Sequence, residues 1–195
     1  MYLYVKRLID VVLSLTALIV LLPFAIILVV LMKFDDPGPI FFKQKRVGIH
    51  RSFFEILKFR TMKMNTPKDC PTHLLENPEQ YITRLGKILR KTSLDELPQL
   101  INILKGDMSI VGPRPALWNQ YDLIAERDRY GANDVVPGLT GWAQINGRDE
   151  ISIEEKARFD GEYVRSMGFC FDLDIIIKTF FSVLIHKGVQ EGKKK

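Results

Sequence analysis

Cysteine and histidine are scarce in this sequence. Its two cysteines, Cys70 and Cys170, lie far apart and form no Cys-x-x-Cys pair or cysteine–histidine cluster. The sequence therefore indicates neither a disulfide framework nor a zinc site, and a reducing, cytosol-facing domain is the simplest interpretation. The three histidines, at positions 50, 73 and 186, are scattered and give no Ser-His-Asp or Cys-His arrangement for nucleophilic catalysis.

The excess of positive charge is also small. Lys and Arg number 28 against 23 Asp and Glu, a net charge of +5, which mildly favours phospholipid headgroups, phosphorylated substrates or nucleic acid as partners. The charge is spread along the chain and no nucleic-acid-binding module is recognised, so we expect no nucleic-acid partner. With 47% hydrophobic and 26% charged residues in 195 positions, the sequence fits one folded domain with a short appended element.

The hydrophobic residues are concentrated near the start of the chain. Residues 11–32 are apolar except for Ser14 and Thr16, and as a helix this run would extend about 33 Å, enough for a bilayer core. The run is longer than an ordinary signal core, and no small-x-small cleavage site follows it, which disfavours a signal peptide. We predict a membrane-associated segment over 1–35 and a cytoplasmic domain over 36–195.

Two features bear on how this segment meets the membrane. Basic residues flank both of its ends, whereas the positive-inside tendency normally leaves one flank poor in them. Pro23 lies near the middle, where it removes a backbone hydrogen bond and is placed to break the helix. These features favour a re-entrant helix-break-helix; the alternative is a spanning helix with a tolerated proline kink. The flanking basic residues are Lys6 and Arg7 before the run and Lys33, Lys43, Lys45 and Arg46 after it.

The rest of the chain predicts an α+β fold, mainly helical, with one short β-hairpin sheet. The hairpin strands are 40–46 and 52–60, both rich in aromatic and β-branched residues. Ser152 followed by Glu155 is a capping box that opens a helix. Further helices are predicted over 85–89, 97–104 and 116–130, and the proline-bearing segment 65–79 predicts an exposed loop.

The last predicted helix carries an apolar stripe at three- and four-residue spacing. Such a stripe usually packs into a core. In a chain with a membrane segment, the alternative is an amphipathic helix that lies flat in the headgroup region. The stripe consists of Leu173, Ile176, Ile177, Phe180, Phe181 and Leu184.

The candidate catalytic residues are the adjacent carboxylates Asp95 and Glu96. A capping box from Ser93 to Glu96 would explain them structurally, but Pro98 would then cost an internal hydrogen bond. We therefore expect the helix to begin between Asp95 and Leu97, so that its dipole and nearby basic residues keep Asp95 ionised. Adjacent carboxylates can share a divalent cation, and an ionised carboxylate can attack phosphorus.

Several basic residues could bind phosphate near this pair. Guanidinium groups match paired phosphate oxygens, and Arg114 is held between two prolines. Taken singly, each is more often a surface charge. Together with the acidic pair and the membrane segment, they indicate diphosphate chemistry at a bilayer surface. The candidates are Lys58, Arg60, Arg90, Arg114 and Arg148.

Six blocks of the sequence match the motifs of a known protein family, and they occur in the same order as in that family. They are residues 6–10 (KRLID), 58–62 (KFRTM), 93–100 (SLDELPQL), 106–109 (GDMS), 112–115 (GPRP) and 137–148, from PGLTG to NGR. The chain resembles the monotopic phosphoglycosyl transferases, also called bacterial sugar transferases, and specifically their small single-domain members. One departure is Leu22 before the proline, where many small members have serine; it bears on the depth of the hairpin rather than on the chemistry.

The resemblance implies an enzyme at the cytoplasmic face of the bacterial inner membrane, in contact with its phospholipid. Asp95 corresponds to the nucleophile, which attacks the β-phosphate of a UDP-sugar and releases UMP. Polyprenyl (undecaprenyl) phosphate then takes the sugar 1-phosphate from the enzyme, the first membrane step of glycoconjugate or polysaccharide synthesis. Glu96 corresponds to the second member of the catalytic dyad, and Mg²⁺ is implied as cofactor, held by the two carboxylates.

The same resemblance ties Arg114 and Arg148 to phosphate or nucleotide contact, and Lys58 and Arg60 to the neighbourhood of the site. The motifs do not specify the sugar, the polyprenyl chain or the oligomeric state. From the residues alone, a basic membrane-surface module without catalysis is the alternative to an enzyme, and Asp95→Asn separates the two.

Overall fold

The computed structural model describes residues 2–66, 78–147 and 151–185, and it is mainly helical with small sheets. The helices are α1 (Tyr2–Asp35), α2 (Arg84–Lys91), α3 (Gln99–Lys105), α4 (Tyr121–Asp128), α5 (Trp142–Ile145), α6 (Ile153–Ser166) and α7 (Phe169–Ile185). The strands are β1 (Phe41–Val47), β2 (Phe53–Phe59), β3 (Ser109–Val111) and β4 (Gly138–Thr140).

The predicted hairpin is confirmed. Strand β1 pairs antiparallel with β2, in a register that runs from Phe41 opposite Phe59 to Val47 opposite Phe53. Because side chains alternate along a strand, Lys58 and Arg46 lie on the same face as the buried Ile56. The hairpin therefore turns two of its basic side chains toward the interior.

A second, parallel pair of strands was not predicted. Strand β3 pairs with β4, with Ser109 opposite Gly138 and Val111 opposite Thr140. The backbones meet closely here, because a Cβ on Gly138 would lie 2.1 Å from the backbone nitrogen of Gly112. Strands of three residues are too short to show a period of two, so the sequence pattern does not reveal them.

Helix α1 shows no break at Pro23, and its predicted re-entrant placement in a membrane stays a prediction. It is one helix from Tyr2 to Asp35 with Pro23 inside it, so the helix continues on both sides of the proline. A proline removes one backbone hydrogen bond and can be accommodated within a helix without ending it. Of the described residues, α1 is the helix long and apolar enough to cross a membrane by length and composition.

One face of α1 packs on the rest of the protein along nearly its whole length. Leu28 and Met32 join a buried cluster with Phe59, which also includes Leu89 of α2. Earlier in the helix, Ala17 and Leu18 pack against a second cluster that includes Ile103 of α3. The outer face of α1 is exposed and apolar, so the helix supplies core on one side and an apolar surface on the other.

The polar residues at the start of α1 also face the protein. Lys6 donates to Asp172 of α7 at 2.5 Å, and both residues are buried. Asp10 accepts from the backbone N–H of Ile110 at 3.0 Å. Arg7 donates to the carbonyl oxygens of residues 103 and 104 at the end of α3, at 2.5 and 2.8 Å, where a cation complements the free carbonyls.

Helix α7 shows that the core interpretation of its apolar stripe was wrong. The buried positions are Asp172 and Ile175, one residue away from the predicted stripe. The stripe itself is mainly exposed, with Phe180 and Phe181 more than half accessible. The alternative interpretation, an apolar helix face available to the headgroup region, fits this arrangement. The side chain of Leu184 lies outside the described part.

The remaining predictions have mixed outcomes. The capping box is confirmed, since the Ser152 hydroxyl accepts from the Glu155 N–H and the Glu155 carboxylate accepts from the Ser152 N–H. The predicted helix 116–130 is shorter, because Leu117 forms an isolated β-bridge with Arg46 and α4 begins only at Tyr121. Most of the predicted loop 65–79 lies outside the described residues.

Candidate active site

The acidic pair lies on a short turn between α2 and α3. Residues Leu94–Glu96 form one turn of 3₁₀-helix, and α3 begins at Gln99 with Pro98 as its N-cap. Ser93 makes no side-chain capping bond and has a left-handed backbone with φ of 56°, so the capping-box explanation of the pair does not apply. The α-helix begins slightly later than predicted, and Pro98 costs it no internal hydrogen bond.

Two leucines anchor this turn. Leu94 packs against the cluster of Phe59 and Leu89, and Leu97 contacts that cluster and the neighbouring one. Residues three apart in a 3₁₀-helix share a face, so both leucines point into the core together. The two intervening carboxylates are thereby fixed to a rigid part of the fold.

Glu96 is held by two cations. Lys58 Nζ donates to Glu96 Oε1 at 2.7 Å, and Arg114 Nη2 donates to the same oxygen at 2.9 Å. The side chains of Lys58 and Glu96 are only 16% and 12% exposed. The structure therefore brings together the end of β2, the acidic turn and the Pro113–Pro115 segment, which the sequence separates.

The electrostatic balance at Asp95 differs from the expected one. Burial raises the pKa of the Asp95 carboxyl, and the negative charge of Glu96 adds to this, whereas Lys58, Arg90 and Arg114 act in the opposite direction. Helix α3 begins four residues later, so nearby cations rather than its N-terminus favour the ionised form. Burial also lowers the pKa of Lys58, against which Glu96 favours the charged ammonium.

Arg46 belongs to this cluster, although no motif singled it out as a site residue. Its Nη1 donates to the carbonyl oxygen of Pro115 at 3.0 Å, and its Nη2 donates to Gln44 Oε1 at 2.6 Å. Burial and the neighbouring charge of Arg114 lower the pKa of Arg46 to about 9. The sequence did contain a signal for Arg46: the two-residue period of the strands, which places Arg46 on the same face as Lys58.

One predicted phosphate-binding residue, Arg60, bonds outside this cluster. Arg60 is buried and donates to both Asp36 and the carbonyl oxygen of Pro39, so it holds the loop after α1. Arg148 lies outside the described residues. Arg90, in the last turn of α2, contributes its charge to Asp95.

The donor set suits a magnesium ion only in part. Within the described ranges no group of three or more His, Cys, Asp and Glu side chains could hold a metal. The adjacent Asp95 and Glu96 offer two carboxylates. This matches Mg²⁺ sites in which one or two carboxylates share the ion with substrate phosphates and water, rather than sites built entirely by protein ligands.

A buried carboxylate beside a carboxylate held by two cations, with further arginines nearby, indicates an enzyme that acts on phosphorylated substrates, because a carboxylate can attack phosphorus and guanidinium groups match phosphate oxygens. Comparison with known proteins supports this class. The family model described as bacterial sugar transferase matches residues 1–186. The chain belongs to the bacterial sugar transferase family, and it is a transferase of phosphate-containing groups.

Curated relatives align with nearly the whole chain. An uncharacterized sugar transferase, EpsL, of Bacillus subtilis is 42% identical, and the match covers 95% of this chain and 90% of the relative. The exopolysaccharide production protein ExoY of Sinorhizobium fredii is 38% identical, over 94% and 87%. The UDP-glucose:undecaprenyl-phosphate glucose-1-phosphate transferase of Escherichia coli is 40% identical, over 93% of this chain and 40% of that longer protein.

Proposed function

We propose that this protein transfers a sugar 1-phosphate from a UDP-sugar to polyprenyl phosphate, through a covalent intermediate on Asp95. The observation that carries the proposal is the pairing of a buried Asp95 with Glu96, itself bound by Lys58 and Arg114. The Escherichia coli relative is named for UDP-glucose and undecaprenyl phosphate, which supports a UDP-sugar as donor and polyprenyl phosphate as acceptor.

In the first step, a carboxylate oxygen of Asp95 bonds to the β-phosphorus of the donor, and the bond from that phosphorus to the bridging oxygen breaks. UMP leaves with the bridging oxygen, and the sugar 1-phosphate stays on Asp95 as an acyl phosphate. A carboxylate removed from water is a less solvated nucleophile, while Lys58, Arg90 and Arg114 favour its ionised state. Positive charge here also complements the diphosphate.

In the second step, a phosphate oxygen of the polyprenyl phosphate bonds to the same phosphorus, and the bond to Asp95 breaks. The products are the polyprenyl diphosphate sugar and a regenerated carboxylate. Asp95 and Glu96 would hold Mg²⁺ together with phosphate oxygens, and the ion would neutralise phosphate charge. Glu96 otherwise orients Lys58 and Arg114, because it bonds to both.

We place the protein at the cytoplasmic face of the bacterial inner membrane, with α1 re-entrant rather than spanning. Support comes from its packing: Lys6 near one end and Met32 near the other both contact the same domain. If α1 crossed the bilayer, the parts of the domain that contact its packed face would have to enter a hydrocarbon core about 30 Å thick. The exposed apolar faces of α1 and α7 would rest in phospholipid.

The decisive experiment measures UMP release from a panel of UDP-sugars, with undecaprenyl phosphate as acceptor and Mg²⁺ present or chelated. Wild type should release UMP only with Mg²⁺, and Asp95→Asn should release none. Asp134→Asn is the matched control, because its side chain is 69% exposed and pairs with His50 away from the site. No UMP from any donor would favour the alternative of a membrane-surface module without catalysis.

The covalent intermediate has its own signature. Without acceptor, wild type should release about one UMP per enzyme in a burst and then stop, because the sugar 1-phosphate remains on Asp95. Mass spectrometry should find the added mass on the peptide that contains Asp95. UMP release that strictly requires acceptor would instead indicate direct transfer between the two substrates.

Membrane topology can be tested with cysteines at Tyr4 and Phe34, which are 85% and 84% exposed. Each is introduced singly into a chain whose native cysteines are replaced by serine. A membrane-impermeant maleimide should label neither position in intact spheroplasts and both after permeabilisation. Labelling of one position in intact spheroplasts would show that α1 spans. A chain that retains the exposed Cys170 serves as the cytoplasmic control.

A further inference from the structure

The backbone that carries Arg114 is bonded by two arginines from other parts of the chain. Arg127 Nη1 donates to the carbonyl oxygen of Arg114 at 2.9 Å. Arg46 Nη1 donates to the next carbonyl oxygen, that of Pro115, at 3.0 Å. The guanidinium of Arg114 meanwhile contacts Glu96. The carbonyl groups of Arg114 and Pro115 are thus both held in place, next to the Arg114 side chain that contacts Glu96.

Arg127 is itself fixed by a buried carboxylate. Its Nε and Nη2 lie 2.8 and 2.6 Å from Asp160 Oδ2, and the side chains are only 4% and 1% exposed. Helix α6 approaches closely at the next residue, where a Cβ on Gly161 would lie 2.6 Å from the Cβ of Tyr130. Glycine at this position lets Asp160 reach Arg127.

A purely stabilising role explains this ion pair poorly. Burying two charges costs desolvation energy that their attraction often only balances, and a well-packed apolar pair can be as stable. The pair leaves one arginine nitrogen pointing at the carbonyl of Arg114. That bond connects the α4–α6 contact to the candidate active site.

We propose that Asp160 and Arg127 are positioning residues, which hold the Arg114 peptide so that the Arg114 guanidinium is set against Glu96 and the substrate diphosphate. The inference rests on the proposed function, in which Arg114 contacts phosphate. Neither Asp160 nor Arg127 touches substrate in this arrangement. Arg46 supports the neighbouring peptide in the same way.

The test separates positioning from stability by replacing the whole pair. Arg127→Met with Asp160→Leu removes both charges and the bond to Arg114, and leaves no unpaired buried charge. Arg127→Lys is the second variant, for the case in which the double variant does not fold. It keeps the charges of the ion pair, but one ammonium cannot reproduce the three-nitrogen geometry of arginine. Thermal unfolding shows that each variant used is folded.

The kinetic readout is a thermodynamic cycle with Arg114→Ala. With Arg114 present, the pair replacement should lower kcat/KM for UMP release by about tenfold, the effect of losing one hydrogen bond of a charged donor. In the Arg114→Ala background the same replacement should change kcat/KM by less than about twofold, because the residue it positions is gone. Equal losses in both backgrounds, or no loss in either, would overturn the proposal.

The dissociation constant of UDP gives the same cycle without turnover. The pair replacement should weaken UDP binding only when Arg114 is present, and it should leave uridine binding unchanged. If wild type binds UDP but releases no UMP, the proposed function is refuted. The thermodynamic cycle measured by UDP binding then tests the positioning role by itself. A wild type that neither binds UDP nor releases UMP overturns both.

Discussion

Helix α7 offers a matched comparison of a buried and an exposed ion pair. Asp172 accepts from Lys6 at 2.5 Å in a buried setting, and Asp174 accepts from Lys178 at 2.6 Å with both side chains about half exposed. Two carboxylates on one helix therefore make bonds of nearly equal length in different surroundings. Only the first connects α7 to the start of α1.

The two pairs should respond differently to alanine. Asp172→Ala leaves the Lys6 ammonium buried without its carboxylate and removes an acceptor of the Tyr2 and Tyr163 hydroxyls, so it should cost about 3–5 kcal/mol of unfolding free energy. Asp174→Ala removes a solvent-screened pair within one helix and should cost about 0.5 kcal/mol or less.

The assay is thermal unfolding in one detergent, supported by limited proteolysis of α1. For a chain of this size each kcal/mol corresponds to about 2–4 °C, so Asp172→Ala should lower Tm by roughly 6–20 °C and Asp174→Ala by no more than about 2 °C. Proteolysis should release the start of α1 only in the first variant. Similar small shifts in both variants would refute the view that this buried pair fastens α1.

Three further predictions concern the site, the packing and the membrane face. Burial raises the pKa of the Asp95 carboxyl, and Lys58 is the largest influence that opposes this rise. Lys58→Gln should therefore raise that pKa further, so that, as the pH falls, Asp95 becomes protonated and UMP release declines at a higher pH than in wild type. An acid limb of the UMP-release profile that does not move would contradict this. Gly86→Ala should lower stability by about 1–3 kcal/mol in thermal unfolding, since its Cβ would lie 2.2 Å from a backbone oxygen; an unchanged Tm would count against that packing. Phe180→Asp with Phe181→Asp should weaken sedimentation with phospholipid vesicles without lowering Tm, because both side chains are over half exposed, and undiminished sedimentation would place the membrane face elsewhere.

The features that sequence reasoning predicted well are local ones. The hairpin follows from two β-rich runs, and the capping box from two residues three positions apart. Side-chain periodicity also located the apolar stripe of α7. It did not tell which side of α7 is buried, because Asp172 and Ile175 are buried by contacts with distant parts of the chain.

The residues of the candidate site come from three separate motifs. Asp95, Glu96, Lys58 and Arg114 come together as the motifs suggested. The roles of Arg127 and Asp160 could not be predicted, because both depend on the packing of α4 on α6 rather than on any local pattern.

Basic residues were the hardest to interpret from sequence. Arg60 lies within the 58–62 motif but bonds to Asp36, and Lys6, which flanks the apolar run, forms a buried ion pair with Asp172. A linear sequence gives the sign of a charge but not its partner. That both ends of α1 lie on one side of the membrane stays a prediction, which the labelling of the two ends tests.

The two-faced packing of α1 couples the lipid environment to the stability of the folded domain. The helix supplies Leu28 and Met32 to the core while its outer face is apolar and exposed. Any amphiphile that binds this outer face in the folded state acts as a ligand of that state and raises the free energy of unfolding by mass action. Lipid composition should therefore change the protein's melting temperature. Extraction from the membrane should lower the stability of the acidic turn and also the solubility of the protein.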